Sequence, residues 1–306
     1  MKNHFSLPII ILVLSVFYSC KKDDQQTTST FERVNSMSSF NSAHRKPTQQ
    51  FTLNATSGGS IITTGGVEFS FPSNAFVNSS GNAITGNIEV KIDEIISKAD
   101  LIFNSISTHS NGRPLKSGGA FNIQVTQGSE ILSVAPGKQY HVWLQSTYLE
   151  PTMETYYGIN SSDQYGKINW TTTPPGAGPN VFTYSTDTSN VYEMILEDLN
   201  WINCDHPYDS LFAELNITLP DGSENSQITV LDNSAMLGVN LWGSNNTASW
   251  SYAPLNRSLT VIVLKHNNGS YNASVQNFLF SGQAITMPTF ITIAEDDLEV
   301  LISTFQ

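Results

Sequence analysis

From Phe51 onward, apolar and polar positions alternate in short runs separated by Gly, Pro, Asn and Ser. In "GGVEFSFP", Val67, Phe69 and Phe71 alternate with Glu68 and Ser70; in "GNIEVKIDEI", Ile88, Val90 and Ile92 alternate with Glu89, Lys91 and Asp93. "GAFNIQVTQG" repeats the pattern through Phe121, Ile123 and Val125, and "YHVWLQ" sets Val142 and Leu144 opposite Trp143. Successive strand side chains point to opposite faces, so period two with turn residues every ~8–12 positions predicts antiparallel strands. A second group of strands starts near Val191 with "NVYEMILEDLNWINCD" and continues through "LFAELNITLP" and "LTVIVLKHNNGSYNASVQNFLF". Within that last run, Asn268-Gly269 tolerates the positive φ of a type I′ turn and predicts a hairpin. "TTTPPGAGPN", 171–180, is a Pro/Gly-rich break. "AEDDLEVLIST" is the best helical stretch, with Leu298, Leu301 and Ile302 on one face and acids in the first turn, where the helix dipole favours them. The expected class is all-β: two antiparallel β-sandwich domains, 51–190 and 191–306, with a short helix near the C-terminus.

The N-terminal pattern differs. Leu7 to Tyr18 is a twelve-residue, almost wholly apolar run. It is short of the roughly 20 residues that span a bilayer and fits the apolar region of a secretory signal, about 7–15 residues. Residues 1–19 therefore read as an export signal. "SVFYSCKKDD" puts small Ser19 directly before Cys20 and resembles a lipobox of the looser Bacteroidota kind, with Phe17 and Tyr18 at its first two positions. That resemblance implies cleavage before Cys20 and lipidation of its thiol. Lys22-Asp23-Asp24 resembles the lipoprotein export signal of Bacteroidota, which implies an outer-membrane protein facing outside and joined to the membrane by its lipid anchor. Several acyl chains are needed for stable residence, since one chain holds only marginally. Polar residues 20–50 are expected to form a flexible tether. Cys204, the remaining cysteine, is then left without a disulfide partner.

Composition narrows the partners. Of 306 residues, 13% are charged, about half the usual share. The net charge is −12 and no basic stripe exists, which excludes nucleic acid as a partner.

"TSGGSIITTGGVEFSFPSNAF", "SGNAITGNIEVKIDEI" and "RPLKSGGAFNIQVTQG" together resemble a module of Bacteroidota outer-membrane lipoproteins of unknown function. The opening strand is similar to the start of ZU5 domains, which implies a β-sandwich. "WINCD", 201–205, resembles an element in the second half of the same lipoproteins.

Candidate chemistry is sparse. Some ZU5 domains cleave themselves at His-Phe-Ser; here Ser110 follows His109 directly, and the segment reads as a polar hairpin loop ending at Asn111-Gly112. Beyond the expected signal, residues 20–306 contain no G-x-S-x-G or S-x-x-K nucleophile motif. Asp93-Glu94 and Asp296-Asp297 point to different sides of their elements and read as solvated charges. "WINCDHPYD" offers ligand types without the spacing of structural zinc. Instead, Trp201 and Asn203 share one strand face, Ile202 and Cys204 pack inward on the other, and Asp205 is expected to turn the chain. Tyr156, Tyr157 and Tyr165 lie in a loop-like, Gly- and Ser-rich region and are candidates for contact with a surface glycan or protein. Asp209-Ser210-Leu211 resembles the Bacteroidota O-glycosylation acceptor, which implies modification of Ser210. No catalytic residue, metal or cofactor is expected. The chain reads as a non-enzymatic binding, adhesion or assembly module; the alternative is an envelope hydrolase acting on glycans or peptides, with its site in inter-domain loops.

Overall fold

The structure, a computed structural model, describes residues 36–146, 149–150, 152–161, 163–172, 181–185 and 190–306. Strands dominate these residues, as the alternation predicts, and are numbered along the chain. In the first sheet β1 (Gln49–Asn54), β5 (Asn87–Ile95), β7 (Arg113–Gln127), β15 (Asn200–Pro207), β11 (Glu154–Asn160) and β12 (Ile168–Thr171) lie in that order. Two short strands, β6 (His109–Ser110) and β8 (Glu130–Ile131), pair onto β7. The second sheet runs β13 (Val181–Ser185), β14 (Asn190–Leu196), β10 (Tyr140–Ser146), β3 (Glu68–Phe71), β2 (Gly59–Ile62). A two-stranded ribbon, β4 (Phe76–Val77) and β9 (Ser133–Val134), completes this part of the chain.

The third sheet is β19 (Thr247–Pro254), β16 (Phe212–Thr218) and β22 (Ile285–Thr286). The fourth is β18 (Gly238–Leu241), β17 (Gln227–Asp232), β20 (Arg257–Asn267), β21 (Ser270–Phe280) and β23 (Ile291–Ile293). Asn268 and Gly269 have φ of 52° and 77° and turn β20 into β21, the expected hairpin.

The inward residues of the alternating runs form the cores. Phe69, Phe71, Ile92, Phe121, Val142 and Met194 belong to one core shared by the first and second sheets. Ile217, Trp250, Val261 and Phe280 belong to another, shared by the third and fourth sheets. The strands after residue 190 do not begin the second group: β14 pairs with β10 and β13, and β15 lies between β7 and β11. Hydrogen-bond continuity with the N-terminal strands thus runs to Pro207, past the expected 190/191 boundary, because Tyr192, Met194, Ile202 and Cys204 are buried in the first core.

Among the described residues there are three short helices. The C-terminal helix α3 (Glu295–Ser303) buries Leu298 and Ile302. α2 (Lys98–Asn104) starts at Ser97, whose side chain accepts the Asp100 N–H, and ends at Ser105 in the left-handed region. α1 (Ser38–His44) lies inside the stretch expected to be flexible tether. Met37 and Phe40 bury themselves with Phe103, Ile262 and Leu298, and β1 then begins at Gln49. That apolar contact corrects the tether's extent within the described residues. Glu32–Gln306 is one compact unit. Among the described residues, no helix is long and apolar enough to cross a membrane.

Candidate functional site

The second sheet buries one face and leaves the other open, the usual arrangement for an antiparallel sheet. Register places the outward residues in rows, because directly opposed residues share a face. One row crosses all five strands: Ile62 opposes Glu68, Glu68 opposes Trp143, Trp143 opposes Glu193, and Glu193 opposes Phe182. Beside it lie Ser60, Ser70, His141 and Ile195 on one flank and Gln145, Val191 and Tyr184 on the other. Ile62, Phe182 and Tyr184 are 62%, 44% and 48% exposed. Ile62 lies on the edge strand at one end of the row, and Phe182 and Tyr184 lie on the edge strand at the other.

This face is organised by side-chain contacts. His141 Nδ1 donates to Glu193 Oε1 at 2.7 Å, and the Tyr184 hydroxyl donates to Glu193 Oε2 at 2.7 Å. Partial burial opposes ionisation of Glu193, but the Tyr184 and His141 hydrogen bonds outweigh it and hold the carboxyl below its ordinary range. The His141 ring is nearly parallel to Trp143, with centroids 5.4 Å apart and planes at 18°. None of the twelve outward positions in these rows is Lys or Arg.

The aromatics singled out from the sequence lie elsewhere. Tyr156 and Tyr165 are buried, so the exposure expected of them is corrected: Tyr156 packs with Ile95 and Trp170, and Tyr165 lies in the second core. Tyr157 is half-buried against the first core. The Gly- and Ser-rich context suggests loops, whereas β11 is a strand and the other layers cover these rings. Trp143 is legible as the outward residue of "YHVWLQ". Phe182 and Tyr184 follow the Pro/Gly break, and their short run gives little local signal; pairing with β14 is what brings them beside Trp143.

Cys20, Lys22, Asp23 and Asp24 lie outside the described residues, as do positions 173–180 of the Pro/Gly break. Ser210 is half-buried in the irregular segment between β15 and β16, donating its hydroxyl to the Leu211 carbonyl at 3.0 Å, and Leu211 is 77% exposed. His109 is wholly buried rather than in a polar loop, although Asn111 and Gly112 do make the expected turn with φ of 50° and 80°. Burial pushes its imidazole pKa down to about 4, against the pull of Asp163 and a Tyr165 hydrogen bond.

The "WINCD" strand packs as its alternation predicts, with Ile202 and Cys204 in the first core. Asp205 does not turn the chain: it continues β15 and is fully buried. Asn203 Nδ2 donates to Asp205 Oδ2 at 2.7 Å, and Ser117 Oγ donates to Asn203 Oδ1 at 2.7 Å. The register of β15 on β7 shifts between Cys204 and Asp205, passing over Gly118 as a bulge. This polar group is sealed inside the fold. Among the described residues, no cluster of three or more His, Cys, Asp or Glu is placed to hold a metal. The chain matches no protein-family model and no curated protein sequence.

Proposed function

We propose that the chain is a non-enzymatic, lipid-anchored binding module of a bacterial cell envelope. Its four main sheets constitute two β-sandwich domains. Cys20 carries the anchor, Lys22-Asp23-Asp24 directs the protein to the outside of the outer membrane, and the outward face of the second sheet makes the functional contact. The observation that carries the binding role is the outward row Ile62, Glu68, Trp143, Glu193, Phe182, exposed at its two ends and half-buried between them. Aromatic side chains supply large contact area at low entropic cost. The Tyr184 and His141 bonds order Glu193 before any ligand arrives, which lowers the cost of binding. Glu193 is held ionised, so it is not prepared as the general acid a hydrolase would require. Fifteen residues, 21–35, separate Cys20 from Ser36; fully extended they reach at most about 50 Å, enough to hold the module clear of a headgroup layer.

Protease shaving of intact cells tests anchor and address together. Wild type should be cleaved at the surface, Cys20→Ala should leave the membrane fraction, and the Lys22→Ala, Asp23→Ala, Asp24→Ala triple variant should become protected. Protection of the wild type, or membrane retention of Cys20→Ala, would overturn the anchored, outward-facing reading.

A further inference from the structure

The geometry of the open face also points to a ligand class, and this step rests on that face being the binding surface. Trp143 and Phe182 stand in one register row, with Glu193 between them as register partner of both. They are therefore two strand spacings apart, about 9.6 Å. In an extended β-1,4-linked pyranose chain each ring is flipped relative to the next, and the repeat of two rings is closely similar in length.

We propose that this row binds an extended, uncharged β-1,4-linked glycan lying across the strands. Pyranose rings contact Trp143 and Phe182 through their apolar C–H faces. Glu193 and Glu68, the register neighbours of Trp143, accept hydrogen bonds from the equatorial hydroxyls at the ring rims. Ile62, 62% exposed at the far end, continues the apolar track. The alternation of ring-sized apolar groups with carboxylates matches a ligand whose faces are apolar and whose edges are hydroxylated. Two carboxylates and no Lys or Arg in the row disfavour phosphate- or uronate-bearing chains through like-charge repulsion. A purely apolar protein patch would likewise desolvate Glu68 without offering its carboxylate a partner.

Cellohexaose and chitohexaose are titrated by calorimetry against the full-length protein, with maltohexaose and heparin as comparators. The β-1,4 hexaoses should bind, maltohexaose at least tenfold more weakly, and heparin not at all. Phe182→Ala and Trp143→Ala should each weaken the hexaoses at least tenfold, with Phe182→Tyr retaining binding. Phe182 is 44% exposed on the sheet's edge strand, so its truncation leaves the core intact, and unchanged thermal unfolding verifies this. Absence of hexaose binding, equal binding of heparin, or wild-type affinity in both alanine variants overturns the proposal. If no oligosaccharide binds but both alanine variants abolish capture of a protein from the envelope, the glycan falls while the binding face stands. If the variants change neither readout, the face loses its assigned role as well.

Discussion

Asp205 lies wholly inside the fold, and burial opposes the charged form of its carboxyl. Its pKa is therefore pushed well above the ordinary carboxylate range, with a contact from Ser117 offsetting only part. Oδ1 has no hydrogen-bond partner among the described residues. A carboxyl whose folded pKa is raised contributes its stability below the unfolded value, about 3.9, and loses it as pH rises through the folded value. Asp205→Asn keeps an oxygen to accept the Asn203 N–H and removes the ionisation. It should raise stability at pH 7 by about 1–3 kcal/mol, a shift of several degrees in Tm, and give no gain near pH 3. Thermal unfolding at the two pH values measures this; equal stability at pH 7 would show that Asp205 is already at ease there. Period-two alternation correctly assigns Cys204 and Ile202 to one face and Asn203 to the other. It is silent on whether the second face is covered, because a strand buried on both sides needs a layer supplied from far along the chain. Asp205 and Tyr156 depart from expectation for that reason, and Tyr165, in the turn between β11 and β12, because the second core covers it.

At the level of elements, the long alternating runs are legible and the seven-residue helices are not. Ser97-x-x-Asp100 is the sequence signal that betrays α2, since Ser97 caps the Asp100 N–H. α1 has no side-chain cap and depends on packing, which a polar stretch with isolated aromatics does not advertise. Its C-terminal end is held electrostatically: His44 Nε2 lies 3.0 Å from Glu295 Oε1, and Nδ1 lies 3.0 Å from Glu299 Oε2, both on α3. Lys46, beyond the helix, bonds Asp100 at 2.9 Å. The hydrogen bond to Glu295 raises the His44 pKa, reinforced by Glu299 and opposed by partial burial. The clamp's stabilisation is thus full below about pH 6.5 and fades as pH rises through the higher folded value. Both carboxylates are nearly half exposed, 49% and 46% by side chain, so the effect is small, at most about 1 kcal/mol. His44→Gln should lower Tm by about 1–4 °C at pH 5.5 and leave it unchanged at pH 9. A loss of equal size at both pH values would assign His44 to packing against Phe40 instead of to charge.

On the scale of the whole molecule, the segment from α2 to the start of β7 joins the two main cores. Thr108 N–H bonds Gly238 O at 2.8 Å, Asn240 N–H bonds Ser107 Oγ at 2.8 Å, and Ser117 N–H bonds Met236 O at 2.9 Å. Trp250 Nε1 donates to Gly112 O at 2.9 Å, and Gln227 Nε2 to Ile102 O at 2.8 Å. Each removes a buried polar group from competition with water, so separating the cores would expose all of them together. His109 lies at the middle of this seam, edge-on to Tyr165, with Gly112 N–H donating to its Nδ1 at 3.2 Å. A histidine whose folded pKa is depressed binds protons more readily when unfolded. Stability is therefore lost as pH falls from about 6.5, and the loss is complete below about 4. A difference of about 2.5 pKa units corresponds to roughly 3 kcal/mol. Equilibrium unfolding in urea should show a single transition for both cores at pH 7. Between about pH 6.5 and pH 4 the wild type should lose about 3 kcal/mol more than His109→Gln, whose side chain does not titrate. Parallel losses in the two proteins would move the origin of acid sensitivity to the ionised carboxylates. Two separate transitions at pH 7 would show that the seam binds the cores too weakly to make them one folding unit.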